Sequence, residues 1–218
     1  MCQDVVSIVK NLASVEIVNP MLWSEISPTI RGVVIVGSTC SGKSTLVDAI
    51  RESSLDVVVP KRVITRPQRQ KDNVIENTFR SKEELNNMVK SREIGLHWTR
   101  KMEGSREEKY GFLAADPSKF IIYSGNNALY NNKDSARPTS IFKDHLYVGI
   151  YAPDDLRQKR LLDRSPDMSE AEMLYRLNDS SENILPHCHL IVKNFDEFEC
   201  QSRDDLLILI ENLQTQGL

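Results

Sequence analysis

Residues 32–50 read GVVIVGSTCSGKSTLVDAI, and this stretch decides the fold. Val33, Val34, Ile35 and Val36 form a short apolar, β-branched run bounded by glycine, the mark of a strand buried on both faces. Gly37, Gly42, Lys43 and Ser44 then satisfy G-x-x-x-x-G-K-[ST], and Leu46, Val47 and Ile50 follow at helical spacing. Strand, loop and helix come in the order a phosphate-binding loop needs. The residues Gly37, Ser38, Thr39, Cys40, Ser41, Gly42, Lys43, Ser44 and Thr45 are therefore expected to wrap a nucleotide triphosphate. Glycines let backbone N–H groups close on the phosphate oxygens. The helix beginning near Lys43 adds the positive end of its dipole. The Lys43 ammonium reaches the outer phosphates, and the Ser44 hydroxyl is the expected Mg²⁺ ligand.

Working outward, the chain alternates strands and helices. Leu55–Val59, Phe120–Tyr123, Leu146–Tyr151 and His189–Val192 are apolar runs of strand length. Helices are expected at Ser81–Ser91, opened by the capping box Ser81/Glu84, and from Pro153 to Leu162. A further helix starts at Ser169 with Glu172, and a C-terminal one carries Leu206, Leu209, Ile210 and Leu213. IGLHW at 94–98 and the segment around Tyr110–Leu113 read as a hairpin. The fold class that follows is α/β, a parallel core sheet between helical layers. Residues 1–30 read as an N-terminal extension whose helical stripe (Val5, Ile8, Val9, Leu12) packs on the core.

Arg62, Arg66 and Arg69 crowd one short segment after the second strand, where bidentate arginines suit a second phosphate. The net charge of −3 over 218 residues supports neither a nucleic-acid nor a membrane role for the whole molecule. No apolar run has membrane-spanning length, and Asp4 stands where a signal peptide carries positive charge, so a cytoplasmic protein is expected. Cys2, Cys40, Cys188 and Cys200 form no C-x-x-C pair and read as free thiols. His187-Cys188-His189 lacks a second ligand cluster and reads as a turn.

From about Gly32 to Leu213 the ordered set GSTCSGKST, VITRPQR, HW…YG, RLLDRS and YRL resembles the guanylate kinase superfamily. The resemblance implies a P-loop NTPase three-layer sandwich over 31–218, with an inserted acceptor-binding lobe at about 60–115 and a lid at about 160–172. It implies ATP and Mg²⁺ as cofactors and transfer of the γ-phosphoryl group to a phosphorylated small molecule, by a monomer or homodimer. It gives Arg66, Arg69 and Tyr110 to the acceptor's phosphate, and Arg160, Arg164 and Arg176, with Lys43, to the transferring group.

The guanine-reading positions differ. His97 stands before the tryptophan where the family has a carboxylate, Ser124 falls at the acidic residue after the next core strand, and Asn77 replaces a phosphate-binding tyrosine. The chain is more similar to the ribose 1,5-bisphosphokinase branch in Arg62, Ile64, Thr65 and Arg66, and in Glu76, Asn77 and Ser81. That branch implies ribose 1,5-bisphosphate as acceptor and 5-phosphoribosyl diphosphate as product. The rival readings are a guanylate kinase converting GMP to GDP and a non-catalytic nucleotide-binding or protein-interaction module.

Overall fold

The structure, a computed structural model, describes residues 2–26, 29–68, 74–101, 107–125, 143–178, 186–195 and 198–215. The described strands are β1 (Val15–Ile17), β2 (Gly32–Gly37), β3 (Val57–Val58), β4 (Arg62–Ile64), β5 (Asn77–Phe79), β6 (Ile94–Lys101), β7 (Glu107–Leu113), β8 (Phe120–Gly125), β9 (His145–Tyr151) and β10 (Leu190–Lys193). The described α-helices are α1 (Cys2–Val9), α2 (Lys43–Glu52), α3 (Lys82–Lys90), α4 (Asp154–Arg164), α5 (Glu170–Leu177) and α6 (Phe198–Thr215).

Six strands form the main sheet in the order β1-β10-β9-β2-β8-β3. All neighbours run parallel except the edge strand β1, which pairs antiparallel with β10. The run Val33–Val36 is fully buried, because β2 lies between β8 and β9 with packed side chains on both faces. Val33 and Ile35 join the cluster of α2, α6 and α1, while Val34 and Val36 join an aromatic cluster on the other face. This is the doubly covered parallel sheet that a continuous β-branched run specifies. Among the described residues no helix is long and apolar enough to cross a membrane.

A second sheet, β5-β4-β7-β6, is inserted between β3 and β8. One face carries Ile64, Leu96, Trp98, Tyr110 and Phe112 against the main sheet. The other face carries Val63, Ile94 and Leu113 against Leu85, Met88 and Val89 of α3. The expected capping box holds α3: Ser81 Oγ accepts from Glu84 N–H, and Glu84 accepts from Ser81 N–H at 2.7 Å. Two strands here are new relative to the sequence reading. β4 and β5 have three residues each, and β4 lies inside the arginine-rich segment.

The N-terminal helix packs as its stripe requires, with Val5, Ile8, Val9 and Leu12 against Leu206, Leu209, Ile210 and Leu213. Each such side chain contributes roughly 1.5–3 kcal/mol on burial. The turn after α1 is tied to α6 by a buried carboxylate: Asp205 accepts from Ser14 N–H at 2.7 Å and from Ser14 Oγ at 2.8 Å. Replacing Asp205 with alanine strands a buried N–H and hydroxyl, and urea unfolding should register a loss of roughly 1–3 kcal/mol.

His189 is buried beside Trp23, and its Nδ1 accepts from the Tyr147 N–H at 3.0 Å. Burial pushes its pKa down from 6.5 to about 4. Above pH 6.5 neither state holds this proton; below it the unfolded chain protonates first. Stability should therefore fall as pH drops from about 6.5 to about 4, and urea midpoints across that window in wild type and His189→Gln measure the part due to this ring.

Candidate active site

The phosphate loop leaves β2 at the carboxyl end of the central strand, where open α/β sheets bind ligands. Two of its residues adopt left-handed backbone: Cys40 at φ 62° and Gly42 at φ 89°. Gly42 is glycine for a second reason. A Cβ there would stand 1.8 Å from Asn194 Nδ2. Cys40 has no such exemption, so its conformation is held by what surrounds the loop.

Three side chains from distant elements hold the loop through its carbonyls. Arg157 Nε donates to Thr39 O at 2.9 Å, Arg160 Nη1 to Cys40 O at 3.5 Å, and Asn194 Nδ2 to Ser41 O at 2.7 Å. Arg157 is completely buried and also pairs with Asp154 at 2.6 Å. Asn194 is fixed in turn by Ser202 Oγ, which donates to its Oδ1 at 3.1 Å, and by Arg160 Nη2, which donates to its carbonyl at 3.2 Å. Neighbouring peptide N–H and C=O groups point opposite ways across their planes. Carbonyls bound from outside therefore leave amides turned inward for an anion.

A cavity of about 910 Å³ opens on this loop. Ser38 through Thr45 line it together with Arg160, Arg164, Asn194 and the helix residues Glu52 and Arg203. Burial pushes the Cys40 thiol up, against the nearby cations Arg164, Arg157, Arg176 and Lys43, so it is protonated at neutral pH. The structure thus gathers Lys43, Arg160 and Arg164 at one cavity. Arg176 sits on α5 and pairs with Glu172 at 2.5 Å, close enough to Cys40 to act on it electrostatically.

In the inserted sheet, Arg62 is less a free hand than a strut. Its Nε donates to Asn77 Oδ1 at 2.9 Å, Nη1 donates to the Ser124 carbonyl at 3.2 Å, and Nη2 lies 3.5 Å from Glu76. It thereby pins the inserted sheet to the carboxyl end of β8. The Ser124 side chain shares the face of Ile122, toward α2, and its buried hydroxyl has no hydrogen-bond partner among the described residues. Tyr110 stacks on Trp98 at 5.3 Å and donates to Glu108 at 2.6 Å. Burial, then Glu108, raises its pKa, so the phenol keeps its proton. Arg66 places its guanidinium 5.5 Å over the Phe79 ring.

His97 does not join this group. It pairs with Gly111, so its side chain points away from the face of Trp98 and Tyr110. Burial first, and Lys109 second, hold its pKa below the usual histidine value, leaving the ring neutral. Arg69 and the segment after Gly125 lie outside the described residues.

Arg157, Asn194, Ser202 and Glu108 are not among the site residues expected from the sequence. Two signals were available. Arg157 and Leu161 lie four apart on one helix face, which marks Arg157 as inward. Asn194 directly follows β10, at a ligand-binding strand end. Gly42→Ala should weaken nucleotide binding roughly tenfold to a hundredfold, from 1–3 kcal/mol of strain. Titration with a fluorescent ATP analogue checks this, with Arg157→Met expected to lose affinity in the same direction.

No protein-family model and no curated protein matches the sequence. Solved structures do match in three dimensions. Guanylate kinase from Anaplasma phagocytophilum superposes with a TM-score of 0.56 at 14% identity, over 84% of this chain and 87% of that one. TT1252 from Thermus thermophilus gives 0.44 at 14% identity over 84% and 98% of the two chains. A gluconokinase from Sinorhizobium meliloti 1021 gives 0.41 at 14% identity over 86% and 98%. At this identity the guanylate kinase likeness speaks for architecture, and with the glycine-rich loop at the end of β2 it establishes the P-loop NTPase fold for this chain.

Proposed function

We propose that the protein is an ATP-dependent phosphotransferase that moves the γ-phosphoryl group onto a phosphorylated small molecule. The observation that carries this is the phosphate loop itself, held open by Arg157, Arg160 and Asn194, with Lys43, Arg160 and Arg164 converging on one cavity.

The residues fit the donor. Residues Ser38 to Thr45 line a cavity with room for the nucleotide, and Gly42, lacking a Cβ, admits the Asn194 amide that braces the loop. They fit magnesium in a limited way. Ser44 lines the cavity, and among the described residues no group of three or more His, Cys, Asp or Glu side chains gathers as a metal site. Mg²⁺ carried on the nucleotide's phosphates would supply charge neutralisation, with Ser44 as its protein ligand. The chain's own residues do the rest. Lys43 and the loop amides hold the donor phosphates; Arg160 and Arg164, with Arg176 behind them, neutralise charge as it spreads over the transferring group. Arg66, Arg69 and Tyr110 hold the acceptor's phosphate in line.

Ribose 1,5-bisphosphate is the preferred acceptor, supported by the resemblance in residues 62–66 and 76–81 and by the turn of His97 away from the Trp98–Tyr110 face. GMP is the second reading, supported by the likeness to guanylate kinase. An ADP-release assay with Mg·ATP, run on both compounds, separates them: turnover of the ribose bisphosphate alone is expected, and turnover of GMP would reverse the choice. Lys43→Ala should lower the rate roughly 10²–10³-fold. Binding of ATP without turnover of any phosphorylated acceptor would mark a non-catalytic nucleotide-binding module.

A further inference from the structure

Strand β7 carries a carboxylate that the reaction outlined above leaves unused. Glu108 is 4% exposed and lies on the same face as Tyr110 and Phe112. On β6 Phe112 and Tyr110 are flanked by Leu96 and Trp98, and on β4 by Arg62 and Ile64. Arg100 stands directly opposite Glu108 on β6. On the other side the ladder ends at the Ile64–Tyr110 pair; Thr65 N–H donates to the Lys109 carbonyl, Lys109 N–H donates to Thr65 Oγ1, and Arg66 lies over the Phe79 ring. Both arginines act electrostatically on Tyr110. Glu108 thus faces a cation across the β6–β7 ladder and a tyrosine hydroxyl along its own strand.

The Tyr110 hydroxyl has one proton and gives it to Glu108 at 2.6 Å. If Tyr110 contacts the acceptor's phosphate, that proton turns to a phosphate oxygen. Glu108, an acceptor-only group in a buried setting, then loses its resident donor. We infer that the acceptor itself replaces it, with a hydroxyl on the carbon next to the phosphate ester, so that Glu108 selects phosphate monoesters bearing a vicinal hydroxyl. The 2.6 Å spacing sets the choice of substrate class. The ligand's phosphate and its donor group must lie side by side, as in a sugar phosphate. In a nucleoside monophosphate the base lies across the ribose from the phosphate, out of reach of this pair. The inference rests on the reading of Tyr110 as a phosphate contact.

The test compares binding of ribose 1-phosphate with 2-deoxyribose 1-phosphate, which lacks the hydroxyl beside the ester. Trp98, stacked on Tyr110, supplies a fluorescence signal, with NMR titration as a second readout. Wild type should prefer the ribose ester about tenfold, the ordinary consequence of an unpaired buried group. Glu108→Gln should shrink that ratio, and Glu108→Ala should remove it. Tyr110→Phe should weaken both esters while keeping the ratio, which a merely structural role for Glu108 would not produce. A wild-type ratio near one, a ratio unmoved by the Glu108 variants, tighter binding of GMP than of either ester, or no binding of either ester overturns the inference. The phosphotransferase reading fails separately, if no phosphorylated acceptor raises Lys43-dependent ADP release while the esters bind as stated.

Discussion

The architecture turns on one constraint, the need to hold a strained glycine-rich loop open at the end of a buried strand. A loop with two left-handed residues, one of them cysteine, does not keep its shape unaided. Here the restraint comes from its carbonyls, which accept from Arg157, Arg160 and Asn194. These donors come from α4 and from the residue after β10, more than a hundred positions along the chain. The loop therefore acquires its geometry only when α4 and the last strand are in place, so the shape of the loop and tertiary stability are linked.

Burying a guanidinium is costly unless every donor finds a partner. Arg157 meets this condition with a carbonyl on one side and Asp154 on the other, and Arg62 meets it with Asn77, Glu76 and the Ser124 carbonyl. The two arginines do parallel work. One ties α4 to the phosphate loop; the other ties the inserted sheet to the core strand beside that loop. Between them they fix α4 and the inserted sheet to the core with polar contacts, while the apolar clusters behind supply the stability.

Strand parity governs the acceptor side. On β6 and β7 the residues paired across the ladder share a face, so Trp98 with Tyr110 and Arg100 with Glu108 look toward the core sheet, and His97 with Gly111 looks toward α3. A functional position one residue away in sequence is on the opposite side of the sheet. This is why the carboxylate on the core-sheet face belongs to β7, whereas the residue preceding the tryptophan contributes a neutral imidazole to the other surface.

The sequence by itself determined the parts of this protein that depend on neighbours in the chain. The β-branched run, the spacing of Gly37, Gly42, Lys43 and Ser44, the capping box at Ser81 and the helical stripes are local patterns, and they specify strand, loop and helix wherever the chain goes. The three-residue strands β1, β4 and β5 escaped notice because so short a segment shows no period. The tertiary structure alone decided which arginines reach the cavity and which become struts, which face His97 and Glu108 occupy, and that Asn194 and Ser202 brace a loop 150 residues away. Those assignments depend on pairing across the sheet and on packing between distant elements, where a one-residue shift of register or a change of helix face reverses the outcome.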